Sequence, residues 1–175
     1  MSSWGAVRLQ DPDSGQSQND DNTMAVDINL LKKLRTETGI SLADCRKALE
    51  ESSNDIAKAK EWLQKHGIEK AEKKSDRETS QGIIESYIHQ NGRVGAMVEV
   101  SCETDFVART DDFKHVTHEI AMQVAAMNPK DVDTLLKQEY IRDSSKTIET
   151  LIKEVIAKLG ENIVVKKFQR FELGK

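Results

Sequence analysis

Apolar residues recur with the 3.6-residue period of an amphipathic helix through residues 24–68. The pattern predicts three short helices, because each apolar run follows a residue type that caps helix N-termini. Gly39 is placed to end the first helix and Gly67 to end the third, since glycine accepts the left-handed conformation at a helix C-terminus. Residues 24–68 are therefore predicted to form a three-helix module. The predicted N-terminal caps are Asp27, Ser41 and Asn54.

The next segment, residues 69–81, is polar throughout and offers no apolar face that could pack against another element. It predicts a linker between the three-helix module and a second domain at residues 82–175. The second domain opens with a period of two, and Asn91-Gly92 separates two alternating runs. Both residues accept the positive φ of a type I′ turn, so the pattern predicts a β-hairpin. One face of its first strand carries Ile84, Ser86 and Ile88, and one face of the second carries Val94, Ala96, Val98 and Val100.

Helical periods return after the hairpin. They predict a short helix after Cys102, a longer helix that Asn128-Pro129 stops, and a short helix within residues 132–138. A strongly amphipathic helix follows, which Asp143-Ser144-Ser145 would cap and Gly160 would end.

A last strand is predicted over residues 163–173, and its alternation breaks at Lys166-Lys167, which indicates a bulge or an edge position. The predicted fold class is therefore α+β: the three-helix module is followed by a small antiparallel three-stranded sheet packed with helices. So small a sheet leaves an edge or a face uncovered, which favours a homo-oligomer.

Residues 1–23 differ in composition from the rest of the chain. They hold one Arg and four Asp, so −3 of the formal net charge of −4 lies there, and they show no apolar period. This composition predicts a disordered tail, and it is neither the apolar segment of a secretory signal nor a basic transit peptide. Because Met24-Ala25 looks like a natural start, the alternative that the tail is non-native stays open.

The composition and the motifs exclude several classes of function. The chain has no apolar run long enough to cross a bilayer, so we expect no membrane partner. Its 26 basic against 30 acidic residues lack the basic field of a protein that binds nucleic acid directly. Its two cysteines cannot form a disulfide scaffold.

Candidate catalytic and metal-binding residues are few. His115 and His118 share a helix face but lack the H-E-x-x-H pattern of a zinc site, so a solvated helix face explains them better. Cys45 lies on an apolar helix face, and Glu103 beside Cys102 would disfavour a thiolate. Glycine-rich phosphate-binding motifs are absent from the sequence. We therefore expect no metal, no cofactor and no enzyme activity.

Several segments carry a resemblance to a known family. The chain reads LRTETG at residues 34–39, DCRKAL at residues 44–49 and VEVSCETDFVA at residues 98–108. Its ending reads AKLGENI at residues 157–163 and RFELG at residues 170–174. With these segments the chain resembles the elongation factor Ts family, the nucleotide exchange factors of bacterial-type translation, over nearly all of its length from Met24.

The resemblance implies a partner and the residues that bind it. Family members bind the GTPase elongation factor Tu, and their ubiquitin-associated-like helical module docks on its GTPase domain. An Asp-Phe wedge enters between helices of that domain and disturbs the Mg²⁺- and phosphate-binding region, so that GDP leaves. The partner-binding residues implied for this chain are Leu42, Ala43, Thr104, Asp105, Phe106 and Val107.

The resemblance also implies an oligomeric state and a location. The chain between Asn128 and Ile148 is much shorter than in long family members, which carry a second core half and a coiled-coil insertion. Short members resemble one half and tend to work as homodimers, which agrees with the uncovered sheet. A translation factor of this kind would act in the cytoplasm.

Three alternatives remain open from the residues themselves. In a local interpretation, Thr104 or Asp105 caps a helix and Phe106 packs in the core. In a second alternative, the chain is a non-catalytic adaptor whose ubiquitin-associated-like module binds another protein. In a third, the chain is a thiol enzyme that uses Cys102, which predicts that Cys102→Ser abolishes its activity.

Overall fold

The structure of the protein is a computed structural model that describes residues 26–175. The predicted disordered tail at residues 1–23 lies outside the described residues. The predicted α+β class is confirmed, because helices come first and are followed by a small antiparallel sheet with helices. The helices are α1 (Ile28–Thr38), α2 (Leu42–Glu51), α3 (Ile56–Glu72), α4 (Asp105–Ala108), α5 (Asp111–Met127), α6 (Val132–Lys137) and α7 (Ile148–Leu159). The strands are β1 (Gln81–Ile88), β2 (Val94–Cys102), β3 (Glu139–Tyr140), β4 (Asp143–Thr147) and β5 (Ile163–Glu172).

The first three helices begin where capping chemistry places them. The side chain of Asp27 accepts hydrogen bonds from the first amides of α1, and Ser41 does the same for α2, so both predicted caps are confirmed. The prediction for the third helix is wrong by one residue. Asp55 caps α3, whereas the side chain of Asn54 accepts a hydrogen bond from the backbone amide of Asp27. The three helices enclose a core of their own, made of Leu34, Cys45, Ala48, Leu49, Ala59 and Leu63.

The end of α3 differs from the prediction. The helix does not stop at Gly67 but continues to Glu72, which lies inside the predicted linker at residues 69–81. Gly67 is buried where α3 crosses α7, and a Cβ atom there would lie 2.8 Å from the Cβ of Ala157. This glycine therefore permits the close approach of two helices instead of ending one. The division into domains at residues 69–81 stays a prediction.

The sheet has the strand order β1-β2-β5, and all its pairs are antiparallel. The predicted hairpin between β1 and β2 is confirmed, but its turn is not of type I′. The amide of His89 donates to the carbonyl of Val94 at 2.8 Å and closes a longer loop, in which only Gly92 has a positive φ, of 66°. Asn91 contributes through its side chain, whose Oδ1 accepts a hydrogen bond from the amide of Arg93 at 3.0 Å.

The two faces of the sheet have different surroundings. Ala96, Val98 and Val100 on β2 are buried in the core against which α5 packs. The last strand, β5, lies at an edge, and its register shifts so that Lys167 opposes Glu99 while Val165 opposes Val100. The bulge and the edge position, which the broken alternation at Lys166-Lys167 indicated as alternatives, are therefore both present. The outer face leaves large apolar side chains exposed, among them Ile84, Ile88, Met97 and Phe171.

The chain between α5 and α7 contains a small hairpin that the sequence pattern did not indicate. The Asp143-Ser144-Ser145 segment, predicted as helix caps, instead forms part of β4, and Thr147 is the N-terminal cap of α7. Buried polar contacts hold this hairpin on α5. Glu119 accepts a hydrogen bond from the Tyr140 hydroxyl at 2.5 Å and pairs with Nε of Arg142 at 2.7 Å.

The main core lies between the inner face of the sheet and the helices. Among its buried members are Phe113 and Ile120 on α5 and Ile148 on α7, and Ala71 joins them from the end of α3. No helix within residues 26–175 is both long enough and apolar enough to cross a membrane.

We predict that Gly67→Ala lowers the free energy of unfolding by about 1 kcal/mol, because the new methyl group overlaps Ala157. We expect this loss although helix propensity alone favours Ala over Gly by about 1 kcal/mol. Urea denaturation of this variant, of Ala157→Gly and of the double variant measures the coupling between the two positions. We expect the double variant to be more stable than the sum of the single effects by about 1 kcal/mol. Simple additivity would contradict the proposed helix contact.

Candidate partner-binding site

Four predicted site residues lie together in one turn directly after the central strand. We name residues 104–107 the TDFV segment. Strand β2 ends at Cys102. The single-turn helix α4 follows, and the side chain of Thr104 caps its N-terminus by accepting a hydrogen bond from the amide of Val107. Thr104 therefore caps this helix, as the local interpretation predicted.

Phe106 is exposed over 78% of its surface, more than any other large apolar residue in the described chain. The local interpretation is therefore wrong in its second half, since Phe106 does not pack in the core. Its neighbours Val107 and Ala108 are buried in the main core, and they hold the turn against it. The arrangement presents a phenyl ring to solvent on a backbone that the core supports. A large apolar side chain held in this way is typical of a partner-binding position.

Asp105 also faces outward, beside Phe106. One of its carboxylate oxygens accepts a hydrogen bond from the guanidinium of Arg109 at 2.8 Å, and the Arg109 side chain is 77% exposed. Such an exposed pair contributes little to stability. Asp105 can therefore exchange this contact for another donor at small cost.

Thr104 is held by groups from two directions. The two carboxylate oxygens of Glu161 accept hydrogen bonds from the Thr104 amide at 2.9 Å and from its hydroxyl at 2.6 Å. The Cys102 thiol donates to the Thr104 carbonyl at 3.1 Å. Both backbone groups of Thr104, its N–H and its carbonyl, therefore have hydrogen-bond partners.

The environment of Cys102 bears on the thiol-enzyme alternative. The side chain is fully buried, and its burial raises the pKa of the thiol to about 11, with a further contribution from the Glu161 carboxylate. The sequence predicted Glu103 as the acidic neighbour, whereas the carboxylates that raise the pKa of this thiol are those of Glu161, far away in the chain, and of Asp105. Reactive thiols have a lowered pKa and partial exposure, so this environment does not favour that alternative.

The other two predicted site residues lie on the helical module. Leu42 begins α2 and is 48% exposed, and Ala43 follows it on the surface. The structure does not bring them into contact with the TDFV segment. Lys158 on α7 contacts the chain on both sides: its side chain lies over Gly39, at the end of α1, and its Nζ donates to Asp112 on α5 at 2.6 Å.

Sequence reasoning missed the residues that support the site. Glu161 and Lys158 contact residues distant in the chain, and no local pattern marks them. Arg109 could have been found, because Asp and Arg four residues apart face each other on a helix.

The histidines show ordinary contacts. Nδ1 of His118 lies 3.1 Å from a carboxylate oxygen of Glu85, and His115 is exposed on α5. In the part of the chain from residue 26 onward, no group of three or more potential metal ligands is found.

Two family models match the chain. The model described as "Elongation factor TS" matches residues 103–175, which include the whole TDFV segment and the end of the chain. The model described as "Elongation factor Ts, mitochondrial, N-terminal" matches residues 18–73, which include the three helices.

Curated relatives match most of the chain. Elongation factor Ts of Coprothermobacter proteolyticus is 44% identical, over 87% of this chain and 100% of the relative. The protein of the same name from Thermotoga neapolitana is 43% identical, over 87% of this chain and 99% of the relative. That of Rippkaea orientalis is 41% identical, over 83% of this chain and 77% of the relative. The first alignment spans 197 residues, more than the 175 of this chain, so that relative carries residues that this chain lacks.

We predict that Phe106→Ala changes the free energy of unfolding by less than about 0.5 kcal/mol, because the ring is largely in solvent. Phe113→Ala is the matched control, since it removes a fully buried ring and should cost about 3–5 kcal/mol. Urea denaturation measures both. A loss at Phe106 as large as that at Phe113 would mean that Phe106 packs in the core.

Proposed function

Because the chain belongs to the elongation factor Ts family of translation elongation factors, we propose that it is a guanine nucleotide exchange factor for elongation factor Tu. In this proposal the chain binds the GTPase, and its Asp105-Phe106 pair promotes the release of GDP. No covalent chemistry is involved, and the site of action is the cytoplasm, where translation factors work. The exposed Phe106 on its anchored turn is the observation that carries the proposal.

The TDFV segment has the properties that a wedge needs. An intruding ring must already be out of the core, since otherwise binding would have to unpack it first. Phe106 meets this condition. The buried Val107 and the N-terminal cap Thr104 hold the turn in place when it contacts a partner. Preorganisation of this kind lowers the entropic cost of binding.

Phe106 alone does not account for nucleotide exchange. An exchange factor must bind the nucleotide-free GTPase more tightly than the GDP-bound form, and by linkage it then weakens GDP binding by the same factor. A shift from nearly complete occupancy to nearly complete release needs a preference of about 10⁴, or roughly 5.5 kcal/mol. Burial of one Phe side chain supplies only about 1.5–3 kcal/mol. The remaining free energy must come from other contacts.

We assign part of those contacts to the helical module. Leu42 and Ala43 stand exposed at the start of α2, a place suited to docking on the GTPase domain. Asp105 would contribute at the wedge itself, by accepting hydrogen bonds from partner donors that GDP or Mg²⁺ otherwise organises. Its exposed pairing with Arg109 leaves it available for this exchange.

We further propose that the chain acts as a homodimer through the outer face of its sheet. Helices cover only the inner face, while Ile88, Met97 and Phe171 on the outer face are between 47% and 70% exposed. An apolar face of this kind is unfavourable in water when it stays uncovered. A second copy offers the same apolar face, so a two-fold pairing would cover both.

We predict that the Asp105→Ala, Phe106→Ala double variant slows the release of mant-GDP from elongation factor Tu by about 10-fold to 100-fold. This range corresponds to the burial free energy of one Phe ring. Stopped-flow fluorescence measures release, and Met127→Ala is the control, because Met127 is 50% exposed but lies at the far end of α5.

The same samples separate exchange from the adaptor alternative. Pull-down against nucleotide-free elongation factor Tu should retain the wild-type chain. Binding without any acceleration of GDP release by the wild type would favour the adaptor. A double variant that loses its thermal transition together with its exchange activity would support a purely structural role for the TDFV segment.

We predict that Met97→Lys converts the dimer into a monomer, because it places a charge in the centre of the outer face on β2. Sedimentation velocity at micromolar concentration measures the change. Met127→Lys introduces the same charge at a similarly exposed methionine on α5 and should remain dimeric. A wild-type chain that sediments as a monomer would contradict the dimer, as would a dimeric Met97→Lys variant.

A further inference from the structure

The carboxylate of Glu161 makes two hydrogen bonds to a single residue of the TDFV segment. Its oxygens accept from the amide and from the hydroxyl of Thr104, at 2.9 and 2.6 Å. The partners are 57 positions apart in the sequence. Hydrogen bonds to an ionised acceptor are roughly twice as strong as neutral ones, and a pair of them also fixes orientation.

Glu161 is itself held in place by the fold. Gly160 ends α7 with a φ of 82°, and the chain then turns into β5, whose first residue, Ile163, opposes Cys102 of β2. The end of β2 and the start of β5 are therefore locked side by side. Glu161 lies two residues before Ile163, and Thr104 lies two residues after Cys102, just beyond the end of β2.

The neighbour of Glu161 strengthens this arrangement. Asn162 is buried, and its backbone amide donates to the Glu103 carboxylate at 2.7 Å. Its side-chain Nδ2 donates to the backbone carbonyls of Ser75 and Arg77, at 3.1 and 2.9 Å. The turn after α7 is thus tied both to the residue before the TDFV segment and to the chain that leads away from α3.

The short helix of the TDFV segment needs such external support. Helix α4 is only four residues long, and a single helical turn is unstable by itself because nucleation costs more than one turn returns. The Thr104 hydroxyl accepts only a long bond of 3.4 Å from the Val107 amide, so the cap alone is weak. The orientation of Phe106 therefore depends on how firmly Thr104 is held.

We propose that Glu161 is a positioning residue for nucleotide exchange, which fixes Thr104 and thereby aims Asp105 and Phe106 at the partner. This inference rests on the proposed exchange function. Glu161 acts through Thr104 and is not itself part of the surface that enters the partner. Both groups that Thr104 presents to it are donors, so the position requires two acceptor atoms, which a carboxylate has and an amide lacks.

The test is Glu161→Gln, which keeps the size of the side chain but turns one acceptor into a donor that faces a Thr104 donor. We expect the maximal rate of mant-GDP release at saturating factor to fall about 10-fold or more. The half-saturating concentration should stay within about twofold of the wild type, because the helical module that docks is unchanged. A general loss of structure would instead move both quantities.

Glu149→Gln is the matched control. It makes the same change in the first turn of α7, at the other end of the helix from Glu161. The partner of Glu149 is Lys153, and neither residue belongs to the TDFV segment. It should exchange nucleotide at the wild-type rate. A wild-type rate for Glu161→Gln as well would overturn the positioning role while leaving the exchange function intact. A wild-type chain that does not accelerate GDP release would overturn the exchange function and this inference with it.

A second pair of variants covers the case in which Glu161→Gln does not fold. Thr104→Ser keeps both donors that bind Glu161, whereas Thr104→Val keeps the shape and removes the hydroxyl. We expect Thr104→Val to release GDP at least about fivefold more slowly than Thr104→Ser at saturation. Equal maximal rates would overturn the inference. If Glu161→Gln folds, the effects of Thr104→Val and Glu161→Gln should be less than additive, since both disrupt the contact between Glu161 and the Thr104 hydroxyl.

Discussion

The close packing at helix α7 is the constraint on which the arrangement of this protein depends. Gly67 of α3 approaches Ala157 of α7 so closely that no side chain fits between them, and this contact joins the helical module to the rest of the chain. Gly160 then ends α7 and turns the chain toward the end of β2, where Glu161 meets Thr104. One helix thus carries the contact with the module along its side and the contact with the TDFV segment at its end. In the proposed function, two separate regions of the chain contact one partner, and α7 would set the spacing between them.

At two of the places where the structure leaves large apolar side chains exposed, the exposure has a use in the proposed function. Phe106 stands in solvent on a turn that buried neighbours hold in place, so its exposure is built into the fold. On the outer face of the sheet, Met97 and Phe171 are left uncovered because helices pack against the other face only. Violations confined to a few surface positions are typical of binding sites.

Much of the fold could be predicted from local chemistry. The caps of α1 and α2, the helix ends at Gly39 and Gly160, the hairpin and the irregular edge strand were all predicted from residue types and spacing. Two of the errors arose where distant residues decide the outcome. Helix α3 continues past Gly67 because α7 packs against it there, and residues 143–145 form a strand because a buried polar cluster on α5 holds their hairpin. The pattern around each of these segments is compatible with either outcome.

The sequence by itself determined the secondary structure of the main elements, the fold class and, through the resemblance, the identity of the TDFV segment. These follow from interactions between residues near one another in the chain, or from a motif that can be compared directly. Only the tertiary structure decided that Phe106 is exposed and Val107 buried, which face of the sheet stays uncovered, and that Glu161 holds Thr104. Those properties depend on pairs of residues that are far apart in sequence, and their proximity arises only when β2, β5 and α7 have packed together.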